Sequence, residues 1–167
     1  MFTLKSISSE AVPGALEKAE RYRLLNEPEL AESICLDVLA AEPDNQAALV
    51  MQLLALTDQF RGGHPNCLAQ AQALLPRLRD QYERLYYAGL IRERRGLAHL
   101  SQASPGGGRV ACEWLREAMT YYEQAEAVRP PGNDNAILRW NTCARAIMRH
   151  HLEPEPDEPY RPALEDS

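Results

Sequence analysis

Ala118-Met119-Thr120-Tyr121-Tyr122-Glu123-Gln124-Ala125-Glu126-Ala127-Val128-Arg129-Pro130 decides the fold, because the chain carries the same pattern once before. Ala31, Cys35, Val38 and Pro43 stand at the same offsets of four, seven and twelve as Ala118, Tyr122, Ala125 and Pro130. Offsets of four and seven put three side chains on one stripe of an α-helix. A proline five residues further on, with no N–H and a ring that crowds the preceding turn, stops that helix. Such a recurrence marks two copies of one structural unit. Upstream of the first copy, Ala19 and Tyr22 give a preceding helix a small-then-bulky surface on which a second helix can pack.

The pattern resembles the tetratricopeptide repeat, a helix-turn-helix of about 34 residues. The resemblance implies an all-α helix-turn-helix solenoid of about three hairpins with a C-terminal capping helix. It also implies a non-enzymatic scaffold that binds a protein or an extended peptide in a groove lined by the first helix of each hairpin. Pro43 and Pro130 lie 87 residues apart, so two repeat steps of about 34 leave roughly 19 residues of insertion. Ser104-Pro105-Gly106-Gly107-Gly108 is the strongest helix breaker in the chain and places that insertion in the third hairpin, about residues 97–112, with a flexible tip. The organisation expected is a lead segment at 1–11, a repeat domain at 12–152 and a tail at 153–167. The second repeat departs from the family pattern, since Leu68-Ala69-Gln70-Ala71 lacks the large aromatic. In the third, Ala88-Gly89 and Gly96 fit, but Arg92 stands where an aromatic is usual.

Seven helices are expected, at about 13–25, 28–42, 45–61, 65–78, 80–102, 109–129 and a last one to about His151. Pro28 suits a first turn, Asp44 and Asp80 are cap candidates, Gly62-Gly63 closes the third helix, and Pro76 should bend or end the fourth. Asn133 or Asp134 caps the seventh.

With 167 residues and 45% apolar content, the chain can bury one core. No run approaches the roughly 18 apolar residues of a membrane span, and the first twenty residues carry Lys5, Glu10, Glu17 and Lys18 rather than an apolar signal core. A cytoplasmic protein is the expectation. Cys35, Cys67, Cys112 and Cys143 are too far apart for a zinc knuckle and read as small core fillers. The net charge of −6 hides a polarity: residues 1–60 hold 4 basic and 10 acidic side chains, 61–152 hold 13 and 8, and 153–167 hold 1 and 6. The segments therefore carry −6, +5 and −5. The tail has a proline at nearly every other position from Pro154 to Pro159, which predicts an extended, mobile strand.

Catalysis finds little support. His64, His99, His150 and His151 have no serine, cysteine or carboxylate at a spacing that declares a nucleophile and its base. The Ser104–Arg109 stretch lacks the lysine and following hydroxyl of a phosphate loop. No cofactor or metal is implied. Arg92, Arg94, Arg95, Arg139, Arg145 and Arg149 could neutralise phosphates, but lysine is almost absent and no RNA-stacking signature appears, so nucleic acid is the weaker alternative.

Two candidate recognition faces remain. Tyr86, Leu90 and Arg94 follow at steps of four on the fifth helix. On the seventh, Asn141 and Arg145 flank an apolar stripe of Ile137, Trp140, Ala144 and Ile147. Arginine clamps carboxylates bidentately, which points to an acidic protein or extended peptide as partner. The rival reading is an accessory subunit of an enzyme or assembly complex that docks by the convex face or the long third hairpin. Leu16, Glu20, Val50 and Leu54 stand where a branch of the family that grips chaperone C-termini places lysines and asparagines, so that ligand class is not expected.

Overall fold

Helix ends in this chain fall where capping groups and prolines put them. The computed structural model describes residues 1–102 and 104–154. Among these there are seven α-helices and no strand: α1 Val12–Leu24, α2 Pro28–Ala41, α3 Gln46–Asp58, α4 Cys67–Leu74, α5 Gln81–Ser101, α6 Gly107–Ala127 and α7 Asn135–Arg149. Pro28 occupies the first turn of α2, where a missing N–H costs nothing. Asp80 caps α5, accepting the Glu83 amide at 2.9 Å.

Several ends differ from the expectation, each for a local reason. Asn45, not Asp44, caps α3: it sits immediately before the helix and its Oδ1 accepts the Ala48 amide at 3.0 Å. The α-helical part of that segment ends at Asp58, and a 3₁₀ turn from Phe60 to Gly62 follows. Gly63, at φ +69°, then reverses the chain. The fourth helix is shorter than expected, because Pro76 cannot donate to the preceding turn and the chain tightens into a 3₁₀ turn over Leu75–Arg77. At α7 the side chain of Asp134 makes no capping bond. Of the two residues expected there, it is Asn133 that serves: its Oδ1 accepts the Asn135 amide and also receives the Tyr82 hydroxyl.

The repeated stripe is the packing seam. Ala31, Cys35, Val38, Ala118, Tyr122 and Ala125 are all fully buried. Ala19 on α1, Ala31 and Cys35 on α2 and Ala55 on α3 meet in one cluster of small side chains, which lets three helices approach closely. The α5–α6 hairpin is the longest contact in the molecule, two helices of 21 residues each, or about 30 Å. Its closeness depends on glycine. A Cβ at Gly89 would lie 2.7 Å from the Tyr122 ring, and one at Gly96 would lie 3.1 Å from Leu115 and 3.2 Å from the Ala111 carbonyl oxygen.

Each helix touches the next along the chain, α4 with α5 included, and the odd-numbered helices also touch in series, α1 with α3, α3 with α5 and α5 with α7. α5 joins two cores, contributing Ile91 and Ala98 to the one built by α1 to α4, and Tyr82, Leu85 and Tyr86 to the one built with α6 and α7. All four cysteines are buried and unpaired. Burial, reinforced by Glu32, pushes the Cys35 thiol up to about 12, which keeps it protonated and inert. The acidic-tail expectation falls mostly on residues 155–167, outside the described residues.

Candidate functional site

The stripe of Tyr86, Leu90 and Arg94 does not present one surface to solvent. Steps of four overshoot the helical repeat by about 40° each, so three members turn through about 80°. Tyr86 therefore points toward α6, its ring 5.8 Å from that of Tyr122. Leu90, 1% exposed, is a core side chain and unavailable to a ligand. Only Arg94 reaches the side of α5 that meets α3. On α7, Asn141 is half-buried and Arg145 is exposed, and neither joins the ion pairs found among the described residues. The five residues expected to act together are thus dispersed over a core, a helix boundary and an outer surface.

What gathers around Arg94 is a different set. Arg23 lies in the last turn of α1, where a cation suits the helix dipole, and Asp58 is the last residue of α3. Arg23 Nε donates to Asp58 Oδ2 at 2.6 Å, and Arg94 Nη1 donates to Asp58 Oδ1 at 2.8 Å. One carboxylate thus holds two guanidiniums from two other helices. The three side chains are 17–28% exposed, at the wall of a concavity of about 420 Å³ that also takes in Asn26, Arg61 and Leu97. Arg61 is exposed and has no ion-pair partner among the described residues.

Each guanidinium carries five N–H groups and spends one on Asp58, whose two oxygens are both engaged. With three cations against one anion the wall is positive, and its spare donors are suited to a second carboxylate. An adjoining hollow of about 300 Å³ shares Asn26 and Asp58 but brings in Glu27, Glu29 and His64. His64 Nε2 lies 3.3 Å from Glu29 there. That side repels anions, so the anion-binding side is the one toward Arg61 and Arg94.

A second arginine–carboxylate cluster sits inside the α5–α7 core. Glu93, 1% exposed, accepts the Tyr122 hydroxyl at 2.5 Å and Arg139 Nη1 at 3.1 Å. Burial first, then the Glu93 charge, pushes the Tyr122 phenol far up, so it stays a proton donor. Burial opposes the charge on Arg139 most strongly, but Glu93 together with Tyr86 and Tyr122 outweighs it and holds the guanidinium protonated. Glu93 has no access to solvent, so this cluster ties α5, α6 and α7 together and offers nothing to a ligand.

Sequence reasoning missed Asp58 as the organiser. A signal existed: it is the lone charge on an otherwise uncharged α3, with Arg61 three residues on. Of the six arginines offered to phosphates, Arg92 is bound to Glu117 and lies 4.2 Å over the Tyr121 ring, Arg94 is bound to Asp58, and Arg139 to Glu93. Among the described residues no group of three metal-ligating side chains is placed to hold an ion, and no helix is long and apolar enough to cross a membrane. Comparison with known proteins brings no relative to this geometry: no protein-family model, no curated protein and no solved structure matches the chain.

Proposed function

We propose that the chain is a tetratricopeptide-like solenoid of the cytoplasm, a non-enzymatic scaffold that holds an extended segment of a partner protein against the face shared by α1, α3 and α5. The observation that carries this reading is the Arg23–Asp58–Arg94 cluster, which links those three helices and leaves guanidinium donors at the wall of a concavity. The serial contacts of α1, α3, α5 and α7 support the solenoid, because stacked hairpins bring their first helices side by side. The partner is an acidic protein or peptide, and no cofactor is required.

A second reading has an observation of its own. Between α6 and α7 a hollow of about 280 Å³ is lined by Ile137, Trp140, Glu123 and Glu126, with Trp140 Nε1 donating to Glu123 at 2.9 Å. It suits docking of the long hairpin to an enzyme or assembly complex. A photo-reactive residue at Leu54, one turn before Asp58, tests the first reading, and the same residue at exposed Thr120 on α6 tests the second. The scaffold reading expects partner adducts from Leu54 in the native complex. Adducts from Thr120 alone would move the working surface to the α6–α7 side.

A further inference from the structure

We propose that the Arg23–Arg61–Arg94 concavity is a carboxylate site and that its resident ligand in the free protein is the chain's own acidic segment, residues 153–167. The inference rests on the α1/α3/α5 face being the working surface and adds what occupies it when no partner does.

Charge comes first. Three guanidiniums face one carboxylate at the wall, an excess of two positive charges. Arg23 and Asp58 sit at the C-terminal ends of α1 and α3, and each helix end contributes roughly half a negative charge. About one positive charge survives that offset, concentrated where Arg61 and Arg94 have unspent donors. Residues 153–167 carry six carboxylates and one arginine. They are the most acidic stretch of the molecule.

Geometry comes second. Leu152 packs into the α5–α7 core, and a Cβ on Gly108 would lie 3.5 Å from it. The chain therefore leaves the described body beside the α5–α6 turn. Arg94 lies seven residues before the end of α5, or about 10 Å along that helix. Fifteen residues in an extended run span about 45 Å, which covers the distance with length to spare. Tethering then does what affinity need not: a linked ligand works at an effective concentration in the millimolar range. Exposed ion pairs are individually weak and salt-sensitive, so such a ligand yields to a partner that adds apolar contacts.

The test uses the full chain with p-benzoylphenylalanine at Tyr160. Irradiation should give intramolecular adducts, independent of protein concentration, mapping to residues 23–26, 57–62 or 94–97. Arg61→Glu, which alters an exposed side chain outside the Asp58 cluster, should reduce them severalfold. Adducts mapping elsewhere, or appearing only between molecules, overturn the proposal.

A second measurement titrates fluorescent octaglutamate into three full-length proteins: the unaltered chain, Arg61→Glu, and a variant whose six tail carboxylates are changed to amides. The proposal expects about three- to tenfold tighter binding to the amide variant than to the unaltered chain, and loss of binding in Arg61→Glu. Equal binding to the first and third proteins, still lost in Arg61→Glu, overturns the resident tail and leaves the carboxylate site standing. No binding to any of them overturns the carboxylate site, while adducts from Leu54 to a partner would still uphold the scaffold.

Discussion

Two clusters in this molecule use the same chemistry to opposite ends. At Glu93 one carboxylate receives Arg139 and Tyr122 with 1% exposure, and at Asp58 one carboxylate receives Arg23 and Arg94 with 17% exposure. Burial separates them. Inside, the Glu93 carboxylate is closed to water and its donors come from the protein, so the cluster stores stability and register for α5, α6 and α7. At the surface the pairing is screened, and guanidinium donors remain for a visitor. A carboxylate shared between helices is therefore structural or receptive according to whether the carboxylate itself still reaches solvent.

Tyr122→Ala should give the largest effect on this comparison, since it removes a fully buried ring packed on Gly89 together with the hydrogen bond to Glu93. The expected loss is about 4 kcal/mol in denaturant unfolding. Arg139→Ala strips Glu93 of its cation and should cost about 3 kcal/mol, at the lower end for a broken buried pair because the Arg139 side chain is 35% exposed. A cost below that of Arg94→Ala would show that water reaches Glu93 and would dissolve the contrast between the clusters.

Ala118→Leu, in the fully buried seam of α6, should cost about 2 kcal/mol by overpacking. A neutral result would place the stripe in the wrong register. Arg94→Ala should change stability by about 1 kcal/mol or less and yet weaken octaglutamate binding, the reverse of the Arg139→Ala profile. If it destabilises as strongly as Arg139→Ala, the Asp58 cluster is structural as well.

His99 gives the smallest expected effect. Burial, with Arg95 adding to it, lowers its pKa below 6.5 in the folded chain. The unfolded state then binds the proton first as pH falls, so the His99 contribution is fully present above about 6.5 and fades below it. Thermal melts should show a slight decline in that range, and His99→Gln should flatten it. A decline that persists in His99→Gln would belong to another group.

Much of the fold was legible because it is written in local terms. The Ala31–Cys35–Val38 and Ala118–Tyr122–Ala125 stripes, Pro28, Asp80 and Pro76 act within a turn or two of their own position, and the helices follow them. The cap of α3 was misread by one residue, since Asp44 and Asn45 are both good capping types and only the backbone conformation at Asn45 chooses between them. The candidate site was far less legible. Arg94 was found, but Leu90 belongs to the core, and Asp58 was passed over, 35 residues from Arg23 and 36 from Arg94.

By itself the sequence determined the all-helical character of the described residues, the placing of their seven helices to within a few residues at the ends, the long third hairpin and the division of charge between body and tail. Each of these depends on neighbours along the chain: helical spacing, proline, glycine and simple counting. Tertiary structure alone decided which carboxylate each arginine meets. Arg23, Asp58 and Arg94 come from α1, α3 and α5, and Glu93, Tyr122 and Arg139 from α5, α6 and α7, with only α5 in common. Helix rotation made that choice, because a drift of about 40° at each four-residue step carries Tyr86 toward α6, buries Leu90 and delivers Arg94 to α3.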